Sequence, residues 1–207
     1  LYAVLADKGF FPREELWTLR KTASHLQGHP DMRKTAGVDV NTGSLGQGVS
    51  IAGGLAMAAK YKGENHRVFA LVGDGEIQEG IVWEAAMSAA HYKLDNLVCL
   101  VDNNGRQLDG AVADVMSHGK GIGAKFDAFG WNVIDVADGN DVEQIYDAVE
   151  AAYQVTGKPT CIVLNTIKGK GCTFAEPSGA HSSQPSKEQW DEAIAFAEAE
   201  LAKVKAQ

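Results

Sequence analysis

The chain has 207 residues, 45% of them hydrophobic and 22% charged, which is ordinary for a soluble globular domain and enough for one sizeable core. A formal charge of -8 excludes a general nucleic-acid surface, so an anionic substrate must be held by local groups. No apolar run approaches the ~18 residues of a membrane span, and three scattered cysteines, Cys99, Cys161 and Cys172, with no secretory pattern, favour a reducing cytoplasm and give no support to a soft-metal site.

Residues 1–26 carry a helical periodicity broken by Gly9-Phe10-Phe11-Pro12, and Pro12 followed by Glu14 and Glu15 reads as a helix start. Pro30 pushes His29 toward extended backbone. Residues 41–48, Asn-Thr-Gly-Ser-Leu-Gly-Gln-Gly, read as a loop, and 49–61 as a helix of small residues. Such a helix is plausible only where another backbone approaches closely, inside the domain or across a subunit contact. Two apolar runs, 68–72 and 97–101, predict parallel strands joined by a helix over 77–92.

A short helix ends at 126–130, and 131–136 predicts a third strand. Residues 141–155 predict an amphipathic helix with Val142, Ile145, Val149 and Tyr153 on one face, and 160–164 a fourth strand. Residues 177–185 read as loop and 186–204 as a polar helix, capped by Ser186 with Gln189 at the capping-box position. This alternation predicts an α/β fold, a doubly wound, mostly parallel sheet flanked by helices, as one domain over 1–207 with a C-terminal helix.

The chemistry concentrates at two strand ends. Gly73-Asp74-Gly75 closes the first strand and Asn103-Asn104-Gly105 the second. A right-handed βαβ crossover puts both on one sheet edge, where ligands bind in open α/β sheets. A carboxylate, a carboxamide and a backbone carbonyl beyond them suit a hard divalent cation carrying a diphosphate. Gly75 lets a main-chain N–H approach a phosphate without a Cβ in the way. Lys168-Gly169-Lys170-Gly171 is not a Walker loop, and no apolar strand precedes Gly119-Lys120-Gly121-Ile122-Gly123, so a dinucleotide reading is rejected.

These motifs resemble transketolases, specifically their diphosphate-binding half. The matching residues are Gln27-Gly28-His29-Pro30, Thr42-Gly43-Ser44-Leu45-Gly46-Gln47-Gly48, Gly73-Asp74-Gly75 through Glu79-Gly80, Asn103-Asn104, Leu108-Asp109-Gly110 and Lys168-Gly169-Lys170-Gly171. The resemblance implies thiamine diphosphate with Mg²⁺, or Ca²⁺ or Mn²⁺ in its place, in the diphosphate-binding (PP) fold. Asp74, Asn104 and the main chain of Arg106 match the metal ligands, and Gly75 a diphosphate contact. Gly43, Ser44 and Leu45 match the aminopyrimidine-side loop, and Leu108 a thiazolium contact. Glu79 matches a carboxylate between the two halves of the active site; its other reading is a first-turn glutamate favoured by the helix dipole. Lys168 matches a position near the cofactor, or is a solvated basic turn. His29 and His181 match histidines at the sugar substrate, His181 also near the diphosphate. His25, His66, His91 and His118 read as surface or supporting residues.

The implied activity is transfer of a two-carbon ketol unit from a ketose or ketose phosphate to an aldose, as in pentose phosphate metabolism. In transketolases a glutamate from a pyrimidine-binding domain activates the cofactor, and no segment here resembles it. The resemblance also implies a Gly-His stretch ahead of Leu1. The expectation is therefore an N-terminal subunit, inert alone, working with a C-terminal subunit that carries the pyrimidine-binding domain, as an α2β2 heterotetramer. The alternatives are a component of another thiamine diphosphate enzyme, of deoxyxylulose-phosphate synthase or 2-oxo-acid dehydrogenase type, and a non-catalytic cofactor-binding relative.

Overall fold

Val68–Gly73 (β1), Leu97–Asn103 (β2), Asn132–Val136 (β5) and Thr160–Asn165 (β6) pair in parallel in the order β1-β2-β6-β5 in a computed structural model. It describes residues 1–177 and 181–206. The central strands are apolar between Thr160 and their polar C-terminal ends, as burial on both faces requires: Val98, Cys99, Val101, Cys161, Ile162 and Val163 are all buried. Cys99 and Cys161 are cross-strand neighbours, and burial pushes the Cys99 thiol up to about 12, so both act as small hydrophobes.

Helices cover both faces. Gln47–Lys62 (α2), Gly80–His91 (α3) and Ile122–Ala128 (α5) pack on one side, in a core built from Val49, Ala56, Val82, Ala86, Phe126 and Trp131 with strand residues Val72, Cys99 and Val163. Val142–Tyr153 (α6) covers the other through Ala148 and Ala152 against Val98, Ile162 and Leu164. The fold is the doubly wound α/β sheet that the alternation predicts.

Between β2 and α5 the chain makes an excursion: the two-residue strands Arg106–Gln107 (β3) and Gly110–Ala111 (β4), paired antiparallel, then a turn of helix, Val112–Val115 (α4). The polar helix Lys187–Lys205 (α7) starts with the expected box, Ser186 Oγ accepting from the Gln189 N–H and the Gln189 side chain accepting from the Ser186 N–H.

Two boundaries and the burial of one residue differ from expectation. The connection after β1 is a 3-10 turn, Glu76–Gln78, then extended Glu79, and α3 begins only at Gly80. Glu76 spends its carboxylate on the backbone N–H groups of Gly46 and Gly73, which holds the turn apart from the helix. Val142 is 76% exposed, because the first residue of α6 lies beyond the face that Ile145, Ala148, Val149 and Ala152 lay on the sheet. Over 1–26 only Tyr2–Asp7 (α1) and a 3-10 helix, Arg13–Thr18, form, separated by Gly9 at φ +83°.

The chain divides into two compact units, Leu1–Leu45 and Gly46–Gln207. The first has its own small core of Leu5, Ala6, Phe11 and Leu26. No helix among the described residues is long and apolar enough to cross a membrane.

Candidate functional site

Because β1 and β2 are adjacent and parallel, with Gly73 opposite Asp102, the two glycine-bordered ends leave the sheet side by side. The Asp74 N–H continues the ladder by donating to the Asp102 carbonyl at 3.1 Å. The Asp74 side chain turns inward and is 1% exposed. Its Oδ1 accepts from the Gly75 N–H at 2.8 Å and its Oδ2 from the Gly105 N–H at 2.6 Å, so one carboxylate staples both loops together. Burial raises its pKa above the usual carboxylate value against the pull of those two hydrogen bonds, and the Asp102 carboxylate adds to the rise. A buried anion with spare lone pairs, bonded to no cationic side chain among the described residues, is the donor a divalent ion completes.

Asn104 is fixed from both sides. Its Nδ2 donates to Asp102 Oδ2 at 3.1 Å and its Oδ1 accepts from the Arg106 N–H at 3.0 Å. Asp102 Oδ1 in turn accepts from the Thr166 hydroxyl, just beyond β6, which brings the start of the Lys168 turn to the same edge. Asp102 thus decides which end of the Asn104 amide presents oxygen. Lys168 is half-buried and Arg106 exposed.

The excursion folds back over the first loop. A Cβ on Gly75 would stand 2.7 Å from Gln107 Cβ, so glycine is required by this packing as well as by close approach of a ligand. Gln78 Nε2 donates to Gln107 Oε1 at 2.6 Å and to the Met116 carbonyl at 3.0 Å. His118 Nε2 lies 2.9 Å from the Asp74 carbonyl, and Lys125 Nζ 3.1 Å from His118 Nδ1. Burial, then the Lys125 charge, lower the His118 pKa. Leu108 projects from the turn between β3 and β4, 71% exposed. Glu79 caps the start of α3 through its extended backbone, and its side chain is exposed.

In the first unit His29 meets the second glycine-rich stretch. A Cβ on Gly43, whose φ is +131°, would stand 2.6 Å from the His29 ring, and the Thr42 N–H donates to the Pro30 carbonyl at 3.3 Å. Only glycine lets the two loops pair so closely. Ser44 and Leu45 are exposed. His181 sits in an exposed bend; Gly179 and Ala180 beside it lie outside the described residues.

The second unit therefore brings Asp74, Gly75, Asn104 and the Arg106 main chain together, as the crossover argument requires. No group of three or more His, Cys, Asp or Glu side chains suited to a metal occurs among the described residues, so a cation here must take amide, carbonyl and ligand oxygens besides Asp74. Sequence reasoning passed over Glu76, Asp102, Gln107 and the part His118 plays. Glu76 and Asp102 adjoin the motifs and were findable by position, whereas nothing local marks His118, 44 residues from Asp74.

Comparison with known proteins converges on one family. The model for the transketolase thiamine diphosphate binding domain matches residues 1–197. The chain is 43% identical to a 6-deoxy-6-sulfo-D-fructose transketolase subunit, SqwG, from a Clostridium species, over 97% of this chain and 72% of the relative. It is 43% identical to an apulose-4-phosphate transketolase subunit of Actinobacillus succinogenes, over 84% of this chain and 62% of that one. Human transketolase is 43% identical over 89% of this chain, which spans only 29% of its length. Among solved structures, a transketolase from Pichia stipitis superposes with a TM-score of 0.74 at 27% identity, over 94% of this chain and 33% of that one.

Proposed function

The chain belongs to the transketolase thiamine diphosphate-binding domain family, and on that premise we propose that it carries the diphosphate half of an enzyme moving two-carbon ketol units. The observation that carries the reading is the buried Asp74 carboxylate, stapled to the Asn104 turn at the open edge of the sheet. Its oxygens, the Asn104 Oδ1 and the Arg106 carbonyl are hard donors of the kind Mg²⁺ takes. The residues present fit the metal and the diphosphate.

In this reading Asp74, Asn104 and the Arg106 carbonyl hold Mg²⁺, and the Gly75 N–H and Lys168 meet the diphosphate. Leu108 and the Gly43-Ser44-Leu45 loop bound the cofactor rings. Thiamine diphosphate, when bound, supplies the carbanion stabilisation that protein side chains lack. His29 and His181 hydrogen-bond the oxygens of the sugar and hold protons there, a task suited to imidazole near neutral pH.

Relatives named as transketolase subunits, and single-chain enzymes about three times longer, support an active site completed by a partner subunit or a further domain with the pyrimidine-binding half. An α2β2 assembly is the simplest form, with the exposed Glu79 side chain at the contact. The proposed donor is a ketose with an anionic tail, phosphate or sulfonate, in keeping with the substrates that the related subunits' names carry.

The test is reconstitution. This chain with a cognate pyrimidine-binding subunit, thiamine diphosphate and Mg²⁺ should transfer glycolaldehyde units from a ketose phosphate to an aldose, and the chain alone should not. Full turnover by the chain alone would refute the divided site, and a complex that binds no thiamine diphosphate would refute the function.

A further inference from the structure

The contact between His118 and Asp74 has a consequence for the glycine beyond it. The Asp74 carbonyl and the Gly75 N–H belong to one peptide unit, and a peptide unit is planar with its C=O and N–H pointing opposite ways. A donor fixed on the carbonyl therefore fixes the direction of the N–H. His118 Nε2, 2.9 Å from that carbonyl oxygen, is such a donor. Gly75 has no Cβ to resist a peptide flip, so the orientation has to be imposed from outside.

The protonation of His118 follows from its neighbours. The Lys125 ammonium has donors only, so His118 Nδ1, 3.1 Å away, must accept. The carbonyl on the other side can only accept, so Nε2 must carry the hydrogen. Both contacts select the same neutral tautomer. Lys125 is held in turn by the Trp83 ring on α3, its Nζ 5.4 Å from the ring centroid. A chain of contacts thus runs from the helix layer through Lys125 and His118 to the strand end. On the far side of the peptide the Gly75 N–H donates to Asp74 Oδ1, so the direction of the plane and the rotamer of the carboxylate are set together.

We propose that His118, held as its Nε2–H tautomer by Lys125, is a positioning residue that locks the Asp74–Gly75 peptide and, through the Gly75 N–H on Asp74 Oδ1, the rotamer of the carboxylate that meets the metal and its diphosphate. The inference rests on the functional reading above, and deepens it by assigning a role to a histidine the motifs do not include.

The test is a two-by-two set of variants at positions 118 and 125 in the assembled enzyme. Thiamine diphosphate affinity in the presence of Mg²⁺ is measured by calorimetry, and the melting temperature alongside. His118→Ala should weaken binding roughly five- to tenfold, the worth of one hydrogen bond. His118→Gln, whose Nε2 amide donates without any choice of tautomer, should restore most of it. Lys125→Met should weaken binding in the histidine background, because the ring hydrogen can then move from Nε2 to Nδ1 and leave the Asp74 carbonyl without its donor, and leave the glutamine background unchanged. A merely structural lysine would cost the same in both backgrounds, and that result would overturn the tautomer lock. Equal binding by H118A and the wild type would overturn the positioning role. A wild-type complex that takes up no thiamine diphosphate would sink the functional reading and this inference together.

Discussion

Gly46 and Glu79 are in contact across 33 residues of sequence: a Cβ built on Gly46 would stand 2.7 Å from the Cβ of Glu79. Gly46 also holds φ at +82°, where a side chain is strained, and its N–H donates to Glu76 Oε1 at 2.9 Å. Two separate motifs are thereby locked to each other. Gly46→Ala should destabilise the chain by about 2 kcal/mol, from backbone strain plus overpacking. Thermal melting checks this, and the variant should also bind thiamine diphosphate less tightly, because Glu79 and the Glu76 turn must move.

Gly54 on the same helix predicts the reverse. A Cβ there would meet nothing within 4 Å, and Ile51, Leu55 and Tyr61 on α2 are exposed as well. Gly54→Ala should stabilise the isolated chain by up to ~1 kcal/mol through helix propensity. If this face seats the partner subunit closely, the same change weakens assembly, which sedimentation of the mixed subunits measures. Unchanged assembly would move the contact elsewhere.

Asp74→Asn keeps the shape but removes the charge. Mg²⁺-dependent thiamine diphosphate uptake should fall by on the order of a hundredfold, since charge count sets the affinity of an oxygen site. The melting temperature of the protein without cofactor should fall only modestly, because the amide keeps one of the two bonds to the Gly75 and Gly105 N–H groups and sets a donor against the other, while losing a charge that burial disfavours. A drop in stability with binding intact would make Asp74 a structural residue only.

Asp141 gives a pH prediction with a definite sign. It caps α6, accepting from the Gln144 side chain and from the Glu143 and Gln144 N–H groups, and these bonds lower its pKa, the side-chain bond most. A lowered folded value means that the stabilisation is present above the unfolded carboxylate pKa and is lost as pH falls through the folded one. Asp141→Ala should therefore lower the melting temperature at neutral pH by about 2 °C. The difference from wild type should vanish in strong acid.

Much of this architecture is legible in the chain. Three of the four strands are built on apolar runs, the edge strand β5 mixes Asn132 and Asp135 with Val133, Ile134 and Val136, and the Ser186 and Gln189 box is a local pattern that forms as written. The meeting of Gly73-Asp74-Gly75 with Asn103-Asn104 follows from the handedness of one crossover. The failures are of another kind. Val142 fits the helical period of a buried face, but where the sheet ends under α6 is a matter of packing, and that residue stands in solvent.

What the sequence determined alone is the sheet, its order of elements and the oxygen donors at its edge, because these rest on periodicity and on chirality that act over short stretches. Only the tertiary structure decided which side chains hold those donors in place: Glu76 on Gly46, Asp102 on Asn104, His118 on Asp74. A hydrogen bond needs its partners within about 3 Å, and for the widely separated pairs that proximity is set by how the loops fold back, which no local pattern encodes.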